Sequence, residues 1–454
     1  LTNPFIETTA AQEREMLAAV GTDSIESLFA DQVPAGLLFD GDFGLPPPLS
    51  EPELLREFAS LARRDAESRP AVSFLGGGIY DHFCPSAVMQ VANRAEFVTA
   101  YTPYQPEASQ GTLQAFFEYQ TMVARLYGMD VSNASLYDVA SALGEALFLA
   151  LAARPDRRRV VLTRTLHPDC SALACTYLKH FDVELVVAPA SGGITDLARL
   201  KELVNGETAV VVVQHPNYFG CLEEVTDFAA IAHDAGALLI ASCDPISLGL
   251  LAAPGDFGAD LAVGEGQALG LRAYLGGETL GLFTCRSEFM RRMPGRLVGL
   301  TRDRLDRRGF VLTLQTREQH IRRDKATSNI CTNHAHNALR ATIYLALMGP
   351  SGLRWAAAMC ARNLRRLRDG VEAARRGSLA FAAPCFKETV IRTARPAREV
   401  AAALLDKGFY AGIPLDRLGA EHAHHLLVCV TEQRTDTEID AFIEALAPHL
   451  GGAS

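Results

Sequence analysis

"VGEGQALG", residues 263–270, closes a short apolar run, Ala259-Asp260-Leu261-Ala262-Val263, with a pair of glycines around an acid. The run reads as a strand, and Gly264-Glu265-Gly266 as the place where it stops. Upstream the same alternation repeats. "RRVVLTRT" (158–165), "VELVVAP" (183–189), "TAVVVVQHP" (208–216) and "LLIASCD" (238–244) read as strands. "DCSALACTYLKHF" (169–181), "TDLARLKELV" (195–204) and "VTDFAAIAHDAGA" (225–237) read as the helices between them. Strands apolar on both faces, separated by helices, predict a parallel sheet covered on both sides. The class is α/β with a large central sheet.

The flanks add three regions. Residues 1–74 read as an N-terminal arm, with a capping-box spacing at Thr9–Gln12, a stop at Gly21, and a proline run that ends where Ser50 can cap a helix. Residues 75–345 form the large domain, opening with the helices "TLQAFFEYQTMVARLYG" (112–128) and "YDVASALGEALFLALAA" (137–153). A long helix broken at Gly349-Pro350 leads into a small C-terminal α/β domain, 346–454, of the order strand, helix, strand, helix.

At 454 residues, 48% hydrophobic and 21% charged, the chain has ample material for a large core. A net charge of −10 disfavours nucleic acid and anionic membranes as partners. No apolar run approaches the ~18 residues of a membrane span, and the N-terminal stretch has no signal core. Ten cysteines without a Cys-x-x-Cys pair read as reduced thiols in a cytoplasmic protein.

In an open parallel sheet, ligands sit beyond the carboxyl ends of the strands. Three such ends carry polar residues: "QHPNYFG" (214–220), "ASCDPIS" (241–247) and "VGEGQALG". Asp244 is placed either to hold a protonated pyridine nitrogen or to make a plain sheet-end hydrogen bond. Ser135 and Asp138 precede an apolar helix, whose N-terminus either receives a phosphate or is simply capped. An amine for a Schiff base is harder to find. The chain has five lysines, 179, 201, 325, 387 and 407, and none between 202 and 324. Arginine cannot replace a lysine in that chemistry. Lys325, in an arginine-rich stretch, is the nearest candidate, with a solvated or anion-pairing role as its alternative.

Two loops stand out. "TAYTPYQPEASQGTLQ" (99–114) offers Tyr101, Thr102, Tyr104 and Gln105 on a proline-stiffened segment, at little ordering cost to a ligand. "FLGGGIYDHFCP" (74–85) has three glycines that fit no dinucleotide fingerprint. "EHAHH" (421–425) reads as surface imidazoles beside an edge strand rather than a metal site. "RDRLDRR" (302–308) and "RNLRRLRDG" (362–370) read as mixed-charge helical faces, with an acidic docking partner as the alternative.

Taken together, "LPPPLSEPELL", "YTPYQPEASQGTLQAFFEYQTM", "GMDVSNASLYD", "QHPNYFGCLEE", "GDFGADLAVGEGQALG" and "SNICTN" resemble the glycine decarboxylase family, the P-protein of the glycine cleavage system. The resemblance runs the length of the chain and is to the α subunit (subunit 1) of the two-subunit bacterial type. It implies the fold of pyridoxal-phosphate enzymes of type I, the aspartate aminotransferase type. It implies that the lysine carrying pyridoxal phosphate belongs to the β subunit (subunit 2), in an (αβ)₂ assembly. Gln267 then falls at or beside the vanished lysine, and Ser135, Asp138, Ser141 and Asp244 are relics of a cofactor cradle. The implied reaction is decarboxylation of glycine, with the aminomethyl group passing to the lipoyl arm of H-protein. Tyr101, Thr102, Tyr104 and Gln105 line the composite pocket; no metal is implied. Departures at Val139-Ala140-Ser141, Gly76-Gly77-Gly78-Ile79 and Gly144 leave open a specialised paralogue acting on another small amino acid, or a dead scaffold.

Overall fold

Valines at 210 to 213 point alternately to opposite faces, and both faces are buried. Val210 and Val212 pack into one apolar layer with Leu143, Leu147 and Phe283; Val211 and Val213 pack into another with Tyr119, Phe228 and Leu239. A computed structural model describes residues 7–39, 41–68, 72–273 and 277–452. The strand of these valines lies inside a seven-stranded sheet, two strands in from one edge.

In chain order the strands are β1 (Val131–Ser132), β2 (Arg159–Thr163), β3 (Glu184–Ala188), β4 (Thr208–His215), β5 (Leu238–Cys243), β6 (Leu261–Glu265) and β7 (Gly281–Cys285). Their spatial order is β1-β7-β6-β5-β4-β2-β3. All neighbours from β6 to β3 are parallel, and β7 alone runs against its two partners. The parallel stretch is the one the alternation predicts. β7 carries no helix before it and was not read from the sequence.

Helices α1 (Gln110–Leu126), α2 (Val139–Ala153), α3 (Pro168–Leu178), α4 (Leu197–Leu203) and α5 (Val225–Asp234) cover the sheet. Gly264 lets β6 pass close to its neighbours: a Cβ there would meet the Tyr127 hydroxyl and the Cys243 carbonyl. Helix α6 (Ala335–Ala374) bends at Gly349, whose backbone is left-handed (φ 58°), just before Pro350. It leads to a three-stranded antiparallel sheet in which β8 (Glu388–Arg392) and β9 (Ile413–Pro414) flank β10 (His425–Cys429).

Two expectations are corrected here. "RDRLDRR" is not helical: it turns an antiparallel hairpin between Leu297–Arg302 and Arg308–Thr313. The Asp303 carboxylate accepts from the N–H groups of Leu305 and Arg307, so the acid stabilises a turn rather than a helix face. His425 does not flank an edge strand. It opens the middle strand of the small sheet, and its Nδ1 lies 2.9 Å from that of His422.

Residues Leu1–Arg69 form a compact unit separate from Pro70–Ser454. Its helices are Ala10–Val20, with the capping box between Thr9 and Gln12 and Gly21 at φ 79°, then Ile25–Gln32, and Glu51–Ser68 with Ser50 hydrogen-bonded to Glu53. Among the described residues no helix is long and apolar enough to cross a membrane.

Candidate functional site

Beyond the carboxyl ends of β4, β5 and β6 lies a cavity of about 50 Å³, bounded by Tyr80, Gln214, Asp244, Glu265 and Lys387. That is room for a water or two, an order of magnitude below an ordinary ligand pocket. The space is filled by side chains of the chain itself, and each filling has an electrostatic reason.

Gln267 is fully buried in a short turn directly after β6. Its amide accepts from the Tyr80 N–H (2.9 Å) and donates to the carbonyls of Tyr80 (3.1 Å) and Leu271 (2.9 Å). An amide can satisfy both a donor and an acceptor of a buried backbone; an ammonium could not. Gln267 therefore pins the "GGGIY" loop over the strand ends.

Asp244 follows β5, and its Oδ2 lies 2.7 Å from the Lys387 ammonium. This corrects the expectation that no amine stands at the strand ends. Lys387 lies one residue before β8, far along the chain from Asp244, and the tertiary fold carries it into the cavity. Burial pushes its pKa down, and the Asp244 carboxylate, the foremost of several neighbours acting the other way, helps turn the net direction up. The ammonium also lies 3.3 Å from the Tyr80 ring centroid and 2.9 Å from His82 Nε2. An ammonium only donates, so Nε2 accepts and Nδ1 carries the proton. Nδ1 then donates to Glu432, 2.7 Å away, whose pKa is lowered: desolvation opposes ionisation, and the hydrogen bonds from His82 and from the Phe83 N–H outweigh it. Cys360 adds a bond to the same carboxylate at 3.4 Å. His82, Cys360 and Glu432 bring their ligand atoms together as a metal site would. Both ring nitrogens of His82 are already engaged, so the trio works as a hydrogen-bonded brace. Lys325, by contrast, is exposed on a short turn.

At the N-terminus of α2, Asp138 is the cap. Its Oδ1 accepts from the Ser141 N–H (2.7 Å), and its own N–H donates to Ser141 Oγ (3.2 Å). The position a phosphate would take is held by Glu265. Its carboxyl accepts from the N–H groups of Val139 (3.1 Å), Gln267 (3.0 Å) and Leu280 (2.8 Å). Burial pushes its pKa up to about 8 against the pull of those donors. In either protonation state its oxygens occupy the donors a phosphate needs.

Ser135 is fully buried, with a left-handed backbone (φ 120°) rare for a side chain of its kind. Asn333 donates to its hydroxyl (3.2 Å) and to the Ala134 carbonyl (3.1 Å). Asn333 in turn lines a second cavity, of about 530 Å³, together with Tyr101, Phe116 and His334. Tyr101 is 81% exposed and Tyr104 49%. Thr102 is half-buried and Gln105 exposed. The four loop residues thus stand together on the surface, away from the filled strand ends. A buried arginine, Arg296, joins the Tyr104 hydroxyl (3.2 Å) to Asn333 (3.2 Å). Sequence reasoning missed Arg296 and Lys387 because neither lies in a local motif.

The model of the glycine cleavage system P-protein family matches residues 3–446. The chain belongs to that family. A protein of Chlorobium chlorochromatii described as probable glycine dehydrogenase (decarboxylating) subunit 1 is 49% identical over 445 residues, 98% of this chain and 99% of its own length. A counterpart of the same description from Geobacillus kaustophilus is 47% identical over 444 residues, 97% and 98% of the two chains. The crystal structure of a glycine decarboxylase (P-protein) in inhibitor-bound form superimposes with a TM-score of 0.88 at 42% identity, covering 98% of this chain and all of that one. A Burkholderia pseudomallei sphingosine-1-phosphate lyase, at 16% identity and a TM-score of 0.65 over 91% of this chain and 94% of its own, shares the fold. The fold is that of pyridoxal-phosphate enzymes of type I. In this P-protein family member the residues at the strand ends do not fit that cofactor: beyond β4, β5 and β6 only about 50 Å³ is left, and Asp244, Lys387 and Glu265 close it in.

Proposed function

We propose that the chain is subunit 1 of a two-subunit glycine dehydrogenase (decarboxylating), and that pyridoxal phosphate is held by subunit 2. The carrying observation is the filled cavity: a protein that kept this fold while plugging its strand ends with an internal ion pair has given up cofactor binding there. The description "subunit 1" shared by the relatives supports a second chain. An (αβ)₂ assembly and transfer of the aminomethyl group to the lipoyl arm of H-protein complete the reading. The cofactor supplies an electron sink for the carbanion left by decarboxylation. This chain's share is the Tyr101–Gln105 loop, whose hydroxyls and amide position glycine and keep water from the partner's site. The loop's exposure beside an open 530 Å³ cavity suits a surface completed by another chain.

The purified single chain, mixed with pyridoxal phosphate, should show no protein-bound visible absorbance and release no carbon dioxide from glycine. Addition of subunit 2 should produce turnover. Borohydride reduction and peptide mapping provide the control. A pyridoxyl group on Lys387 or Lys325 would mean the chain carries its own cofactor, and the proposal would be wrong.

A further inference from the structure

Three lysine or arginine side chains are buried among the described residues: Arg296, Arg340 and Lys387, at 7%, 5% and 3% exposure. Arg340 is paired with Glu278 at 2.6 Å, and Lys387 with Asp244 at 2.7 Å. No described carboxylate pairs with Arg296. Its hydrogen bonds go to neutral oxygens only: Asn333 Oδ1 (3.2 Å), the Tyr104 hydroxyl (3.2 Å) and the Cys331 carbonyl (2.8 Å). Its Nε has no partner. Burying an uncompensated cation is costly, and a fold that pairs the other two has left this one open to an anion from outside.

The direction from which that anion comes follows from donor bookkeeping. A guanidinium has no acceptor, so in its bond to Tyr104 it must donate to the phenolic oxygen. The phenol's own hydrogen then points away from Arg296. Tyr104 is half exposed, which leaves that hydrogen free for an incoming oxygen, and the cation behind it strengthens it as a donor. Asn333 holds the guanidinium from the other side while its amide nitrogen braces Ser135, whose strained backbone fixes the geometry.

We propose that the Tyr104 hydroxyl, backed by Arg296 and Asn333, is an oxyanion-recognition element that this chain contributes to the composite site. Tyr104 makes the contact; Arg296 and Asn333 are positioning residues. The inference rests on the two-subunit reading above. The oxyanion is a carboxylate or a phosphate, which means either the carboxylate of the amino-acid substrate or the phosphate of the cofactor on subunit 2.

The test uses the complex reconstituted from the full chain and subunit 2, with Tyr104→Phe, Arg296→Gln and Arg296→Lys. If the oxyanion is the substrate carboxylate, KM for glycine rises at least about tenfold in the first two variants. kcat changes less, and Arg296→Lys falls between. Binding of methylamine, which lacks the carboxylate, is unchanged. If it is the cofactor phosphate, the affinity of the complex for pyridoxal phosphate falls at least about tenfold, and KM at saturating cofactor holds. Variants that assemble and turn over with both affinities unaltered overturn the inference and leave the two-subunit reading standing. If the wild-type pair shows no turnover, that reading fails, and thermal melting of the isolated chain decides. Acetate or inorganic phosphate raising the Tm of wild type but not of Arg296→Gln supports the oxyanion element, and equal shifts sink it. Should Arg296→Gln fail to fold, Tyr104→Phe and Arg296→Lys carry the same comparisons.

Discussion

The pair Lys387–Asp244 decides what this chain does at its strand ends, and it makes a quantitative demand. Each charge is tolerated in a buried cavity because the other is 2.7 Å away. Removing one partner strands the other, at a cost of about 3–5 kcal/mol, whereas removing both with similar volume can be nearly neutral. Lys387→Met should therefore lower the unfolding free energy by about 3 kcal/mol or more at pH 7. Lys387→Met combined with Asp244→Asn should recover most of that loss. Urea titration of the four species in a double-mutant cycle measures the coupling. Costs that simply add would mean the ion pair is not what holds the cavity closed.

At the level of elements, the N-terminus of α2 illustrates how a chain retains an anion site and uses it internally. The helix is capped by Asp138 and Ser141, as its sequence allows, yet its outermost donor, the Val139 N–H, turns to Glu265 at the end of β6. This ties helix to sheet and couples stability to pH. The folded chain keeps the Glu265 proton up to about pH 8, and the unfolded chain releases it near 4.5. The unfolded state thus binds fewer protons across that window. The stability contributed by protonated Glu265 is complete below pH 4.5, declines between 4.5 and about 8, and is flat above. Glu432 acts in the opposite sense: its pKa is lowered, and its contribution is lost as the solution is acidified below 4.5. Unfolding free energies measured from pH 5 to 8 should fall less steeply for Glu265→Gln than for wild type. Parallel curves would mean Glu265 ionises normally in the folded chain.

For the whole molecule, charge and core are distributed unevenly. The first 69 residues carry thirteen acidic and five basic side chains, most of the net −10 of the chain. Residues 291–325 carry eleven basic against four acidic. Among the described residues, none before Val72 packs in or against the buried apolar clusters. A chain beginning at Pro70 should therefore keep its cooperative thermal transition, with a Tm within about 4 °C of the full chain. Calorimetry of the two chains checks it; a broad or absent transition in the shorter one would show that the first unit is required for the core.

The sequence by itself determined the parallel sheet, because strands buried on both faces must be apolar at every position, and that signal is local. It determined the helix ends at Thr9, Gly21 and Asp138 and the bend at Gly349 for the same reason: caps and left-handed turns are chosen by residues a few positions apart. The tyrosine loop was legible as a proline-containing polar segment, and Gln267 as an amide just past the end of a strand. What only the tertiary structure decided is which charges meet. Lys387 reaches Asp244, Glu265 reaches the helix that begins at Val139, and Arg296 reaches Tyr104 without a carboxylate. Electrostatic pairing inside a protein depends on distance in space and on exclusion of water, and neither leaves a pattern along the chain.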